Sequence, residues 1–185
     1  MPSPVRIYLV RHGRASAGFA EAVDPGLDAV GHKQAKAIVQ ELAPFGPLPL
    51  ITSPLKRARE TAAAFEVQWQ VTAQIEPRIA EIPSPTEDLQ AREAWLHQAF
   101  QGRWSDLPKP YQAWRDEVVS FLLSRRTTSV VTTHFVAINA AVGAATGDDR
   151  LLCFEPDHCS CTVLEVHNDN LLVVARGRQR ATQIR

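Results

Sequence analysis

The chain has 185 residues, 45% hydrophobic and 22% charged, with twenty Lys and Arg balancing twenty Asp and Glu. That size and composition fit one ordinary globular domain with a sizeable core. A formal charge of zero gives no global attraction for nucleic acid or an anionic membrane, and no apolar run is long enough to span a bilayer. Affinity for an anionic ligand must therefore be local.

The N-terminus, with Pro2 and Pro4, leads straight into a strand-like run and does not read as a signal peptide. Residues 5–10 are rich in β-branched and aromatic side chains and predict a buried strand ending at Arg11-His12-Gly13. Gly13 is expected to permit a sharp turn, followed by a loop over 15–26. Apolar positions Leu27, Val30, Ala35, Ile38, Val39 and Leu42 predict a helix, ended by Pro44, Gly46, Pro47 and Pro49. Residues 48–52 read as a second strand. Ser53-Pro54 then reads as an N-cap followed by proline at the first helical position, opening a helix to about Val67. A third strand is expected over 71–75, and Pro77, Pro83 and Pro85 break the chain after it.

The middle carries Trp95, Trp104 and Trp114 and predicts helices over 88–100 and 111–124, divided by Gly102 and Pro108-Lys109-Pro110. It is read as a helical insertion, about 83–126, forming one wall of a site. A fourth strand, 129–133, ends at His134 and a helix follows over 135–146. Two further strands, 160–167 and 171–175, flank a turn, and the basic tail 176–185 reads as a frayed terminus. Alternating strands and helices predict a single three-layer α/β/α domain over 1–185 with a mainly parallel central sheet. Cys153, Cys159 and Cys161 are odd in number and bunched, which suits reduced core thiols of a cytoplasmic protein. Cys159 and Cys161 are placed on one face of a strand. With only His158 nearby, they lack the further ligands a zinc site needs.

Three of the predicted strands end in reactive residues: Arg11-His12, Thr52-Ser53 with Arg57 just beyond, and Thr133-His134. Ligands of open α/β sheets bind at the carboxyl ends of parallel strands. Two arginines and two histidines gathered there would repel each other without an anion, and a phosphate dianion suits them, since the guanidinium fork donates two parallel hydrogen bonds. A helix start after Ser53 adds positive dipole. His12 can attack phosphorus while Arg11, Arg57 and His134 stabilise the equatorial oxygens. No Walker-type loop, HExxH or paired aspartates suggest a metal or cofactor.

Leu9-Val10-Arg11-His12-Gly13 resembles the signature of the histidine phosphatase (phosphoglycerate mutase-like) superfamily. Leu27-Asp28-Ala29-Val30-Gly31-His32-Lys33-Gln34-Ala35, then Thr52-Ser53-Pro54-Leu55-Lys56-Arg57-Ala58-Arg59-Glu60-Thr61-Ala62, and finally Val130-Val131-Thr132-Thr133-His134 match further family elements in order. Arg14-Ala15-Ser16 is similar to the subset with RHG-x-A-S.

The resemblance implies an α/β phosphatase of phosphomonoesters. His12 would be the phosphorylated nucleophile, and Arg11, Arg57 and His134 would line the phosphate pocket. Gly13, Ser53 and Phe135 would be further phosphate-site residues, although the family often has Gly where Phe135 stands. Glu81 occupies the place of the family's proton donor, with Glu87, Asp88 and Asp24 as rivals. The implied partner is a small phosphate ester or another phosphorylated substrate. A mutase and a non-catalytic phospho-ligand module are the alternatives. The mutase is disfavoured because the insertions of longer phosphoglycerate mutases are missing, and the module because the four site residues are intact.

Overall fold

The computed structural model describes residues 4–18 and 20–180. The first three residues and the last five, parts of the N-terminal reading and of the predicted frayed tail, lie outside the described residues. The elements are β1 (Val5–Arg11), α1 (Ala29–Leu42), β2 (Leu50–Thr52), α2 (Lys56–Trp69), β3 (Gln74–Ile75), α3 (Leu89–Ala99), α4 (Lys109–Leu123), β4 (Ser129–Thr133), α5 (Phe135–Thr146), β5 (Cys161–His167) and β6 (Asn170–Ala175).

The six strands form one sheet in the order β3-β2-β4-β1-β5-β6. The first four are parallel and the last two antiparallel. Successive side chains of a strand point to opposite faces. On one face Ile7, Leu9, Ile51 and Val131 pack with Val118, Phe121 and Leu122 of α4 and Ala137, Ile138 and Ala141 of α5. On the other, Tyr8, Val10, Leu50 and Val130 pack with Ala35, Ile38 and Val39 of α1 and Ala62, Phe65 and Trp69 of α2. This is the expected three-layer α/β/α sandwich around a mainly parallel sheet. A third apolar cluster, around Trp104, Leu96, Val136 and Leu151, joins α3 to the start of α5. No described helix is long and apolar enough to cross a membrane.

Several local expectations need correction. Helix α2 begins at Lys56, and Leu55 in the cap position has no side-chain cap bond. Ser53 is fully buried and its N–H donates to Thr132 O at 3.0 Å, so the chain continues along the sheet for one more residue before it can turn. Cys159 precedes β5, with a left-handed φ of 50°, so it does not alternate with Cys161 along a strand. Both thiols nevertheless pack in the cluster around Tyr8 and Val10. Residues 176–180 are not frayed: Asp157 N–H donates to Arg178 O at 2.8 Å and Arg180 N–H to Glu155 O at 3.0 Å.

Gly13 is required for close approach, not for a special turn. A Cβ there would stand 2.6 Å from Gly31 O, and a Cβ on Gly31 would collide with the carbonyl of Arg14. Helix α1 is thus pressed onto the loop that leaves β1. Asp28 caps α1 by accepting from Gly31 N–H at 2.7 Å, and its carboxylate also takes Arg14 Nε at 2.6 Å. Ordinarily Gly→Ala inside a helix stabilises by about 1 kcal/mol. Here the collision reverses the sign: Gly31→Ala is expected to cost about 1–3 kcal/mol, read as a fall of roughly 3–10 °C in Tm. A rise in Tm would show that the contact yields.

Candidate active site

Strand pairing brings the reactive ends together. β1 and β4 run in register with Arg11 opposite Thr133, and His12 N–H extends the ladder to Thr133 O at 2.9 Å. His134 follows Thr133, so the two imidazoles sit side by side with ring centroids 5.2 Å apart. β2 lies on the far side of β4 and delivers Ser53. Arg57, in the first turn of α2, reaches back so that its Nε donates to His12 Nε2 at 3.1 Å. Arg11, His12, Arg57, His134, Ser53 and Glu81 are all buried.

The hydrogen bonds select a tautomer. His12 Nδ1 lies 2.7 Å from Gly13 O, and a carbonyl oxygen only accepts, so Nδ1 carries the proton. Nε2 therefore holds a lone pair, which Arg57 Nε–H contacts. The Gly13 N–H is in turn donated to Thr61 Oγ1 at 3.0 Å, whose hydroxyl bonds Arg57 O. This network fixes the ring between β1 and α2. His134 Nε2 lies 2.7 Å from Ser53 Oγ. Among the described residues, Arg11 Nε, Arg57 Nη2 and His134 Nδ1 are buried without a hydrogen-bond partner. Unpaired buried polar atoms are costly, and of these three residues Arg11 and Arg57 line a cavity.

Burial controls the charges. It holds the His12 imidazole well below its ordinary pKa, with His134, Arg57 and Arg11 adding to the effect. His134 is lowered in the same way, by burial and then by Arg57 and Arg11. Both rings are thus neutral near pH 7. Burial and Arg180 lower Arg11 to about 10, still charged at neutral pH. Glu81 moves the opposite way: burial raises its carboxyl pKa, against Arg57 and two backbone N–H groups.

Glu81 follows a short helical turn, Pro77–Ile79. Thr133 Oγ1–H donates to Ile79 O at 2.7 Å, tying that segment to the end of β4. The Glu81 carboxylate accepts from Ile82 N–H at 3.1 Å and Val136 N–H at 3.2 Å. The rivals are placed differently. Asp88 caps α3 through Gln90 and Ala91 N–H, exposed Glu87 lines a separate groove, and Asp24 accepts from Lys56 N–H and lies 3.8 Å from Arg57. Phe135 lies under Arg11, 5.1 Å from ring centroid to guanidinium carbon, a cation–π contact.

A cavity of about 420 Å³ opens over Arg11, His12, Arg57 and Phe135, with Arg92 and Glu93 of α3 on its rim. α3 thus contributes to the cavity lining, while α4 is built into the core. The cavity also receives Arg14, His158 and Arg180, which the sequence reading left out. His158 carried no local signal beyond its place beside the cysteines. A larger groove of about 650 Å³ beside β3 is lined by Lys56, Arg59, Glu60 and Glu66. Its mixed charges lie away from the imidazoles. Among the described residues no group of three His, Cys, Asp or Glu is arranged to hold a metal.

Residues 7–178 match the histidine phosphatase superfamily (branch 1). An uncharacterized protein of Mycobacterium tuberculosis is 30% identical over 138 residues, a stretch covering 70% of this chain and 66% of that protein. The chain thus spans just under two thirds of that relative. Among solved structures, phosphoserine phosphatase from Entamoeba histolytica in complex with 3-phosphoglyceric acid superimposes with a TM-score of 0.75 at 18% identity, covering 95% of this chain and 98% of that one. Mycobacterial glucosyl-3-phosphoglycerate phosphatase in complex with VO3 gives a TM-score of 0.71 at 18% identity, covering 95% and 100%. At that identity these two structures establish a common fold.

The unpaired donors and neutral imidazoles make oxyanion binding measurable. Inorganic phosphate at ~100 times its Kd should stabilise the protein by about 2.7 kcal/mol. Thermal unfolding should show a rise of several degrees for wild type and little or none for Arg57→Ala. Equal shifts in both proteins would place the anion elsewhere.

Proposed function

Because the chain belongs to the histidine phosphatase superfamily (branch 1), we propose that it hydrolyses phosphomonoesters through a phosphohistidine formed on His12. The observation that carries this reading is the His12 ring. Its Nδ1 proton is held by Gly13 O, its Nε2 lone pair faces Arg57, and burial among cations keeps it neutral. A neutral imidazole with a directed lone pair is a competent nucleophile near pH 7.

In the first step Nε2 attacks phosphorus in line, the N–P bond forms, and the ester P–O bond breaks. Arg57 releases Nε2 and, with Arg11 and His134, donates to the equatorial oxygens, where charge stabilisation lowers the barrier most. Ser53 positions His134, Phe135 supports Arg11, and Gly13 sets the His12 tautomer. Glu81, whose protonated form burial favours, gives its proton to the leaving alkoxide. In the second step water attacks phosphorus, Glu81 takes a water proton, the N–P bond breaks, and phosphate leaves. The nucleophile and the cationic charge both come from side chains, so the reaction proceeds without a metal.

The substrate is a phosphate ester of a small molecule or another phosphorylated group that fits the cavity. We place the protein in the cytoplasm, where three unpaired thiols stay reduced.

His12→Ala should lose at least ~10³-fold in kcat on an aryl phosphate, since a nucleophile acting within a catalytic unit is not replaced. Acid-quenched wild type should not retain the phosphoryl adduct, which should survive a base quench and map to His12. Full activity in His12→Ala would end the proposal. Turnover unaffected by EDTA is expected, and metal-dependent rescue would contradict it.

The pH profile has a defined sign. His12, lowered, stays active until the pH falls through its depressed pKa. Glu81, raised, keeps its proton above the ordinary carboxyl range, and activity falls as the pH rises through its pKa. Glu81→Gln should lose ~10²–10⁴-fold on an alkyl phosphate, lose less on p-nitrophenyl phosphate, and lack the alkaline limb. An unchanged profile would assign the proton to another group.

A further inference from the structure

His158 takes no part in the chemistry described above, yet it lines the same cavity as His12 and Arg11. Its ring centroid lies 5.9 Å from that of His12. That is too far for a hydrogen bond between the rings and close enough for both to face one tetrahedral phosphoryl group. The side chain is only 15% exposed.

The position is built into the fold. Arg11 grips the segment around His158 at three points: its N–H donates to Ser160 O at 3.2 Å, its carbonyl accepts from Cys159 N–H at 3.0 Å, and its Nη1 donates to Pro156 O at 2.8 Å. The His158 N–H donates to Asp157 Oδ1 at 2.8 Å, and the left-handed Cys159 turns the chain immediately afterwards. From α5, Asn139 Oδ1 accepts Cys153 and Phe154 N–H and anchors the start of the same loop. The residue that binds phosphate in the reading above therefore also places this ring. The acidic atom facing the ring, Asp157 Oδ1, is 3.9 Å from Nδ1, beyond hydrogen-bond length.

We propose that His158 is a third substrate-contacting imidazole, which donates a ring N–H to an oxygen of the phosphate ester that His12 attacks; this rests on the phosphatase reading above. The charged groups facing His158 come from three parts of the chain: Arg11 on β1, Arg14 just beyond it, and Arg180 after β6, against Asp157 on its own loop. Burial and these cations hold the ring down to about 4, so it is neutral in the empty site at neutral pH. A phosphate dianion opposes that field and favours the imidazolium. His158 then takes one proton from solvent as substrate enters, and its hydrogen bond becomes charge-assisted. The substrate gives up no proton in this exchange. Because the pKa is low in the free protein and higher in the complex, the added affinity grows as the pH falls below the complex value, and is lost as the pH rises through it.

The test compares wild type, His158→Gln and His158→Ala with p-nitrophenyl phosphate. Glutamine keeps an N–H donor but cannot become charged. At about pH 8.5 the Gln variant should keep its KM within ~2-fold of wild type, and at about pH 6 its KM should be ~10-fold higher, the charge-assisted bond being absent. The Ala variant should be weakened at both. Calorimetry with sulfate, which stays dianionic throughout, should show more proton uptake by wild type than by His158→Gln in buffers of different ionisation heat. A KM ratio that does not change with pH, or equal proton uptake, would overturn the role of His158. A merely structural residue would raise KM equally at both pH values. If wild type turns over no aryl phosphate, the phosphatase reading fails, and the sulfate experiment still decides whether His158 meets the anion.

Discussion

The site depends on burying two guanidinium groups without a close carboxylate partner. Arg11 and Arg57 are 7% and 3% exposed. Among the described residues, the ion pair that either of them makes is Arg57 with Asp24, at 3.8 Å. Burying an ion this way is expensive unless something of opposite charge arrives. Burial keeps His12 and His134 from protonating, with the guanidiniums adding to the effect, while Glu81 is raised by its own burial against those same cations. Burial thus favours a neutral imidazole and a neutral carboxyl in the same cluster. Opposed environments of this kind separate acid and base roles in a single pocket.

The sheet and its two helical layers hold that cluster rigid. The ladder from β1 to β4 continues past the strand ends through His12 N–H to Thr133 O, so the two imidazoles inherit the spacing of paired strands. Thr61 links Gly13 to the carbonyl of Arg57, which couples the loop after His12 to α2. On the outer side, α1 is seated against the same loop through glycines that leave no room for a methyl group. Packing on both faces of the sheet thus sets the position of a few polar atoms at one edge.

The rim is built differently. Arg14, Arg92, Glu93 and Arg180 come from loops, from the start of α3 and from the segment after β6. Side chains on such segments can change without disturbing the apolar clusters beneath, and specificity on a shared scaffold is set there. His158 belongs to neither class: it lies on a loop, but one held by the backbone of Arg11.

The sequence by itself determined the layered architecture and the placing of four candidate site residues along their elements. Strand and helix periods are local, and so is the placement of Arg11-His12, Arg57 and His134 at the ends or starts of elements. Its errors lie where a distant segment decides. Ser53 has the chemistry of a helix cap, but pairing with Thr132 keeps it extended and turns its hydroxyl toward His134. Gly13 looks like a turn residue, but its constraint is the carbonyl of Gly31 across the loop. Glu81 is singled out only by the family resemblance, and nothing local foretells the Val136 and Ile82 N–H groups that meet its carboxylate. His158 has no local pattern at all and reaches the cavity only because Arg11 captures its loop. Local spacing reports which way a side chain faces along its own element. Burial, protonation and the partners of a polar atom are set by segments remote in the chain, and those only the tertiary structure brings together.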